Sequence, residues 1–110
     1  MKRRTTTLQL QQAVTNNLLQ IISAEAYSKS TRKTTAIPTD TFKYSLDIIC
    51  ETVLASCIGW HYERDYKTNG YIAECSRMDG CAENIVTVHL RVNDSSNVEE
   101  IERILKIEEE

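Results

Sequence analysis

The apolar and polar positions near the N-terminus follow a helical pattern. The apolar residues of this first element recur at the spacing of one helical face: Leu10, Val14, Leu18, Ile21 and Ile22. Thr7 precedes them and is a residue type that often caps helices. Positions 28–38 lose the pattern, because they are polar, basic and rich in Thr, and they end at Pro38. The sequence therefore predicts a helix over 7–27 and a basic linker over 28–38.

A second helical pattern begins after the proline. Thr39 or Asp40 is placed to cap it. Its apolar residues follow at steps of three and four: Phe42, Leu46, Ile49, Val53 and Cys57. Gly59 stands where a helix commonly ends in a left-handed residue. This spacing predicts a helix that ends just before Gly59.

From Trp60 onward the apolar residues recur at every second position instead of at the helical spacing. Three strands are predicted, over 60–66, 71–77 and 84–92. Asn69-Gly70 and Asp79-Gly80 supply the turns between them. In the third strand the inward set is Val86, Val88, Leu90 and Val92. His61 and His89 then fall on the opposite face of the sheet.

A final helix follows, with Ser96 and Glu99 in the positions of a capping box. The fold class is therefore predicted as α+β, in the order helix–helix–three-stranded antiparallel meander–helix (ααβββα). The helices are expected on one face of the sheet. At 110 residues the chain is predicted to form a single domain. It would consist of a flexible basic tail over 1–6, the first helix, the linker, and an αβββα unit over 39–110.

Charge is distributed unevenly along the chain, whose formal net charge is −3. Positions 1–43 hold seven Lys or Arg and two acids, whereas positions 44–110 hold six Lys or Arg and fourteen acids. Such a chain can offer its basic part to an anionic partner and its acidic part to a cationic one. No apolar run approaches the roughly 20 residues of a membrane span, and no apolar stretch follows the basic start. We expect a cytoplasmic protein without a membrane partner.

The residues that could carry chemistry form no recognisable catalytic or metal-binding motif. The four cysteines (Cys50, Cys57, Cys75 and Cys81) include no Cys-x-x-Cys pair, so no zinc site is predicted. Cys75 and Cys81 flank a short loop and could face each other, but a cytoplasmic chain would keep them reduced. His61 and His89 would lie two strands apart, about 10 Å, which is too far for a catalytic pair. No catalytic residue, metal or cofactor is predicted.

The function expected from these features is a small non-enzymatic protein-interaction module. It would act as an inhibitor or adaptor, of the kind that phages and other mobile elements encode, and would form a homodimer. Its acidic surface would bind a basic site on a larger protein, where the charges set register and association rate. The residues predicted to contact the partner are Glu63, Asp65, Glu74, Glu99, Glu100 and Glu102.

Two alternatives remain open at the level of the sequence. The first is a nucleic-acid-binding regulator that uses the basic tail and linker. Its contacts would be Lys2, Arg3, Arg4, Lys29, Arg32 and Lys33. The second is a small-ligand binder or an enzyme that uses His61 or His89 at a subunit interface.

Overall fold

The computed structural model describes residues 3–39, 59–79 and 82–106, and these form one six-stranded antiparallel sheet with two helices. The strands are β1 (Arg3–Thr6), β2 (Leu19–Ser28), β3 (Lys33–Ile37), β4 (Gly59–Asp65), β5 (Gly70–Asp79) and β6 (Ala82–Val92). The helices are α1 (Thr7–Thr15) and α2 (Val98–Leu105), the second preceded by a short 3-10 turn, Ser95–Asn97. The strands lie in the order β1-β4-β5-β6-β2-β3. The two edge strands, β1 and β3, therefore both come from the N-terminal third of the chain.

The predicted ααβββα arrangement is wrong. The three predicted strands exist as β4, β5 and β6, but β1 pairs beside β4, and β2 and β3 extend the sheet beyond β6. The chain is α+β and its sheet is antiparallel, yet the sheet has six strands instead of three. The second predicted helix lies outside the described residues, apart from its expected cap at Thr39.

The predicted first helix is wrong in its second half, because the chain turns after α1 and continues as β2. Helix α1 ends at Thr15, and Asn17 follows with a φ of 63°. Asn tolerates this left-handed conformation, which redirects the chain into β2. The register of β2 shifts between Ile21 and Ser23, so the next inward residue after Ile21 is Ala24. This step of three interrupts the alternation of two that would otherwise mark a strand.

Two segments predicted to be irregular form the edge strands. Arg3–Thr6, expected as part of a flexible tail, pairs with β4 as β1. The expected linker contains the end of β2, a turn with Arg32 at a φ of 57°, and β3. Residues 33–36 of β3 are exposed, so this strand shows no apolar alternation. Its Thr residues are nevertheless suited to a strand, because β-branched side chains fit a pleated surface.

Both helices pack on one side of the sheet, which we call the helix face; the opposite side is the outer face. The buried core lies between them, and its helical members are Leu10, Ala13, Val14, Ile101 and Leu105. The predicted parity of β6 is confirmed, because Val86, Val88, Leu90 and Val92 are buried. Gln9 of α1 also donates to the carbonyls of Ile104 (3.1 Å) and Lys106 (2.9 Å), which ties α1 to the end of α2.

The β4–β5 turn fixes the position of the residues that follow. Asn69 adopts a φ of 53°, and a Cβ atom at Gly70 would overlap the carbonyl group of Leu90 on β6. Glycine is therefore required where β5 begins. The Arg64 guanidinium closes the turn by donating to the Gly70 carbonyl and to Asn69 Oδ1, each at 2.8 Å.

Candidate functional site

Four carboxylates from three strands share the outer face. Glu63 and Asp65 lie two residues apart on β4, about 7 Å along the strand. Glu63 pairs with Ile72, which makes Glu74 its diagonal neighbour on β5, about 7–8 Å away. Thr87 of β6 separates Glu74 from Glu25 of β2 in one row of the sheet. We call Glu25, Glu63, Asp65 and Glu74 the acidic stripe.

The carboxylates of the acidic stripe differ in the contacts that they make within the fold. Asp65 accepts hydrogen bonds from the Lys67 backbone N–H (3.2 Å) and the Thr68 hydroxyl (2.8 Å), so it helps to hold the β4–β5 turn. Glu63 makes no ion pair with any described residue. No described helix covers this face. Three of the six predicted partner contacts, Glu63, Asp65 and Glu74, therefore lie on one surface.

The other three predicted contacts lie on α2, on the opposite side of the sheet. Glu99 and Glu100 are exposed in its first turn, where their charge suits the positive end of the helix dipole. Glu102 points toward the sheet instead: it accepts a hydrogen bond from the Tyr71 hydroxyl (2.8 Å) and pairs with Arg3 (3.3 Å). The six acids do not form one patch.

The basic residues of the nucleic-acid hypothesis are also divided. Arg3 and Arg4 lie on β1, whereas Lys29, Arg32 and Lys33 lie in the β2–β3 turn and on β3. These strands are opposite edges of the sheet, five strand spacings or about 24 Å apart. Lys29 is paired with Glu83 at 3.1 Å. Lys2 lies outside the described residues, so the five placed basic side chains form two separate groups.

The histidines occupy the outer face, as the strand parity predicts. His61 is exposed and lies between Arg4 and Glu74 in the sheet. His89 is half-buried, with Ile72 on one side and Ser23 on the other. They belong to different rows of the sheet and to strands that are two apart. Within the ranges that the structure describes, no group of three His, Cys, Asp or Glu side chains is placed to hold a metal ion.

Cys75 is buried on the helix face and is disulfide-bonded. In the β5–β6 ladder Cys75 pairs with Val86. Cys81, which the sequence places at the other end of the short loop, lies outside the described residues, as do Cys50 and Cys57.

Among the described residues, no helix is long and apolar enough to cross a bilayer. The compartment itself stays a prediction.

A pocket of about 210 Å³ opens where α2 meets the end of β4, and we call it the β4 pocket. Its lining consists of Arg3, Tyr62, Glu63, Arg64, Tyr66 and Glu102. The Arg64 guanidinium lies 5.2 Å from the ring centroids of both Tyr66 and Tyr71, a distance at which a cation is attracted by an aromatic face. On the helix face the pocket thus combines the guanidinium groups of Arg3 and Arg64, the Glu102 carboxylate and two tyrosine side chains, whereas the Glu63 side chain belongs to the outer face.

The tyrosine hydroxyls of this region hold their protons strongly. Burial, the hydrogen bond to Glu102 and the charge of Glu102 all raise the pKa of Tyr71 well above its usual range. Burial and the Glu102 charge raise the pKa of Tyr62, against a smaller opposing effect of Arg3. Arg3 lies near the Tyr62 hydroxyl, but no hydrogen bond of ordinary geometry joins them. Both hydroxyls are therefore donors at neutral pH.

One residue of the sequence weakly indicates this pocket. Arg64 stands among the inward-facing apolar residues of the first predicted strand. A charged residue at such a position indicates that this end of the strand lies at the rim of the core. The meeting of Arg3 with Glu102, 99 residues apart, has no local signal, because it depends on β1 pairing with β4.

Comparison of the chain with protein-family models, with curated proteins and with solved structures found no match.

Proposed function

We propose that this protein is a non-enzymatic interaction module whose acidic stripe binds a basic, extended segment of a partner protein. The observation that carries the proposal is the strand register, which brings carboxylates from β2, β4 and β5 onto one face. Binding there would cover a basic site on the partner, which is how an inhibitor or adaptor of this size acts. The charges would favour rapid encounter and correct register more than raw affinity.

The spacing of the stripe favours an extended ligand. Glu63 and Asp65 are separated by about 7 Å, and alternate residues of an extended peptide are separated by the same distance. A peptide with a basic residue at every second position can therefore place successive cations against successive carboxylates. An α-helix would present cations at about 5–6 Å instead, because its same-face neighbours lie three or four residues apart.

The experiment uses a fluorescent decapeptide of alternating Lys and Ser, and measures its anisotropy against the full chain at two salt concentrations. The test variant is Glu63→Lys with Glu74→Lys. The matched control is Glu99→Lys with Glu100→Lys, which changes the net charge equally but on the helix face. Circular dichroism confirms that each variant is folded.

We expect the test variant to weaken binding at least tenfold and the control to weaken it no more than about threefold, since the control acts only through long-range charge. Equal losses in both variants would show that net charge alone attracts the peptide, and the stripe would then have no specific role. A labelled single-stranded oligonucleotide is titrated in parallel. If it binds more tightly than the peptide, the nucleic-acid alternative replaces this proposal.

The structure leaves fewer reasons to expect a homodimer than the sequence alone. An almost uncharged N-terminal helix would favour packing on a second chain, but α1 buries Leu10, Ala13 and Val14 in its own core. The uncovered outer face is the remaining reason. Size-exclusion chromatography with light scattering tests the dimer directly, and a monomer at all concentrations would contradict it.

A further inference from the structure

The β4 pocket contains a buried polar atom without a partner. Tyr62 is 2% exposed, and its hydroxyl accepts or donates no hydrogen bond within the described part of the chain. Buried hydroxyls are nearly always hydrogen-bonded, and exceptions often mark a position that another molecule completes. A tyrosine hydroxyl is protonated at neutral pH, and burial and the Glu102 charge raise the pKa of Tyr62 further, so this hydroxyl can donate to an acceptor.

The charges around Tyr62 favour an anionic acceptor. Arg3, Tyr62 and Arg64 share the parity of the helix face, and the Glu102 carboxylate lies beside them. Glu102 is already engaged by the Tyr71 hydroxyl and by Arg3. Arg64 donates only to neutral oxygens, on Gly70 and Asn69, and has no ion pair with a described residue. This side of the pocket therefore carries one positive charge in excess.

We propose that the β4 pocket binds a carboxylate group, which accepts hydrogen bonds from the Tyr62 hydroxyl and from a guanidinium of the lining. A planar guanidinium matches a carboxylate in geometry. The volume of about 210 Å³ is below the about 300–1,000 Å³ of pockets for drug-sized ligands, so the ligand is small or is the end of a chain.

Access to the Tyr62 hydroxyl requires one movement. Its oxygen is covered in the structure, and Arg3 lies beside it. The Arg3 side chain is 63% exposed and is held by one contact of 3.3 Å to Glu102. A long, exposed side chain held in this way exchanges rotamers readily, so an entering carboxylate can displace it and then be gripped by it.

The test is a titration of the ¹⁵N-labelled full chain with benzoate at pH 7, followed by amide chemical shifts, with benzamide as the uncharged counterpart. Two further probes separate the sources of the carboxylate: a tripeptide with a free C-terminus and the same tripeptide amidated. We expect benzoate to shift the amides of β4 and α2, and benzamide to bind at least tenfold more weakly. The preferred peptide form then tells whether the carboxylate belongs to a chain end or to a free small molecule.

The decisive variant is Tyr62→Phe, with Tyr27→Phe on the exposed part of β2 as the matched control. Because the Tyr62 hydroxyl has no partner in the unbound chain, its removal leaves every described contact in place and the variant should fold. We expect Tyr62→Phe to weaken benzoate binding at least tenfold and Tyr27→Phe to leave it unchanged. The proposal is overturned if benzoate and benzamide bind equally, if neither binds, or if Tyr62→Phe binds benzoate as tightly as the unmodified chain.

Discussion

The two faces of the sheet hold similar polar residues but use them differently. On the helix face, Glu102 accepts from Tyr71, and the Trp60 indole donates to the Thr7 hydroxyl at 3.0 Å. On the outer face, Glu63 makes no ion pair with a described residue. The difference follows from coverage: a polar group beneath a helix loses water, which costs free energy unless it finds a protein partner, whereas an uncovered one keeps its water. Glu102 is therefore part of the structure of the helix face, whereas Glu63 keeps its contact with water.

The largest expected contrast lies between two adjacent residues of β4. Trp60 is buried on the helix face and His61 is exposed on the outer face. Trp60→Ala should lower the free energy of unfolding by about 3–5 kcal/mol, because it leaves a large cavity in the core. His61→Ala should change it by no more than about 0.5 kcal/mol. Urea unfolding measures both, and similar losses would mean that the two faces are not distinct.

The next contrast compares two glutamates. Glu102→Ala should lower the free energy of unfolding by about 1–3 kcal/mol, because it leaves the buried Tyr71 hydroxyl without an acceptor. Glu63→Ala should lower it by less than about 0.5 kcal/mol. A double-mutant cycle with Tyr71→Phe identifies the cause. If the loss in Glu102→Ala persists unchanged in the Tyr71→Phe background, the hydrogen bond between them is not its origin.

Alkaline pH should destabilise the helix face through Tyr62 and Tyr71. The pKa of Tyr62 and of Tyr71 is raised above the ordinary 10.0 in the folded chain, so unfolding releases protons above that pH. The stabilising effect is therefore complete below pH 10 and is lost as the pH rises beyond it. Urea midpoints measured from pH 7 to 11 should fall above pH 10, and less steeply in Tyr71→Phe. A parallel fall in both proteins would contradict this account.

The part of the fold that could be predicted from sequence is the part built from neighbours along the chain. Strands β4, β5 and β6 follow one another through short turns, so alternation and turn residues suffice to define them and the facing of Val88 and His89. Strand β1 pairs with a partner more than fifty positions away, and four mostly polar residues carry no periodic signal. The bulge in β2 shifted the alternation there by one residue, and Asn16-Asn17 was the only sign that α1 had ended.

The candidate site shows the same limit. The alternation in β4 and β5 was enough to place Glu63 and Glu74 together on the outer face. Glu25 joined them only because β2 proved to be a strand. The sequence could not distinguish Glu102 from Glu99 and Glu100. Its hydrogen bonds with Tyr71 and Arg3 depend on how α2 packs on the sheet.

The smallest expected effect is a gain in stability. It tests most directly whether burial beneath the helices distinguishes the two faces of the sheet. Thr5 is buried on the helix face, and its hydroxyl has no hydrogen-bond partner among the described residues. Thr5→Val removes this hydroxyl and keeps the branched shape, so we expect the free energy of unfolding to rise by about 1 kcal/mol. Thr87→Val, at a half-exposed position of the outer face, should change it by less than about 0.5 kcal/mol, because that side chain is not buried beneath a described helix. A loss of stability in Thr5→Val would mean that the Thr5 hydroxyl is hydrogen-bonded in solution, and burial on the helix face would then not be what distinguishes the two threonines.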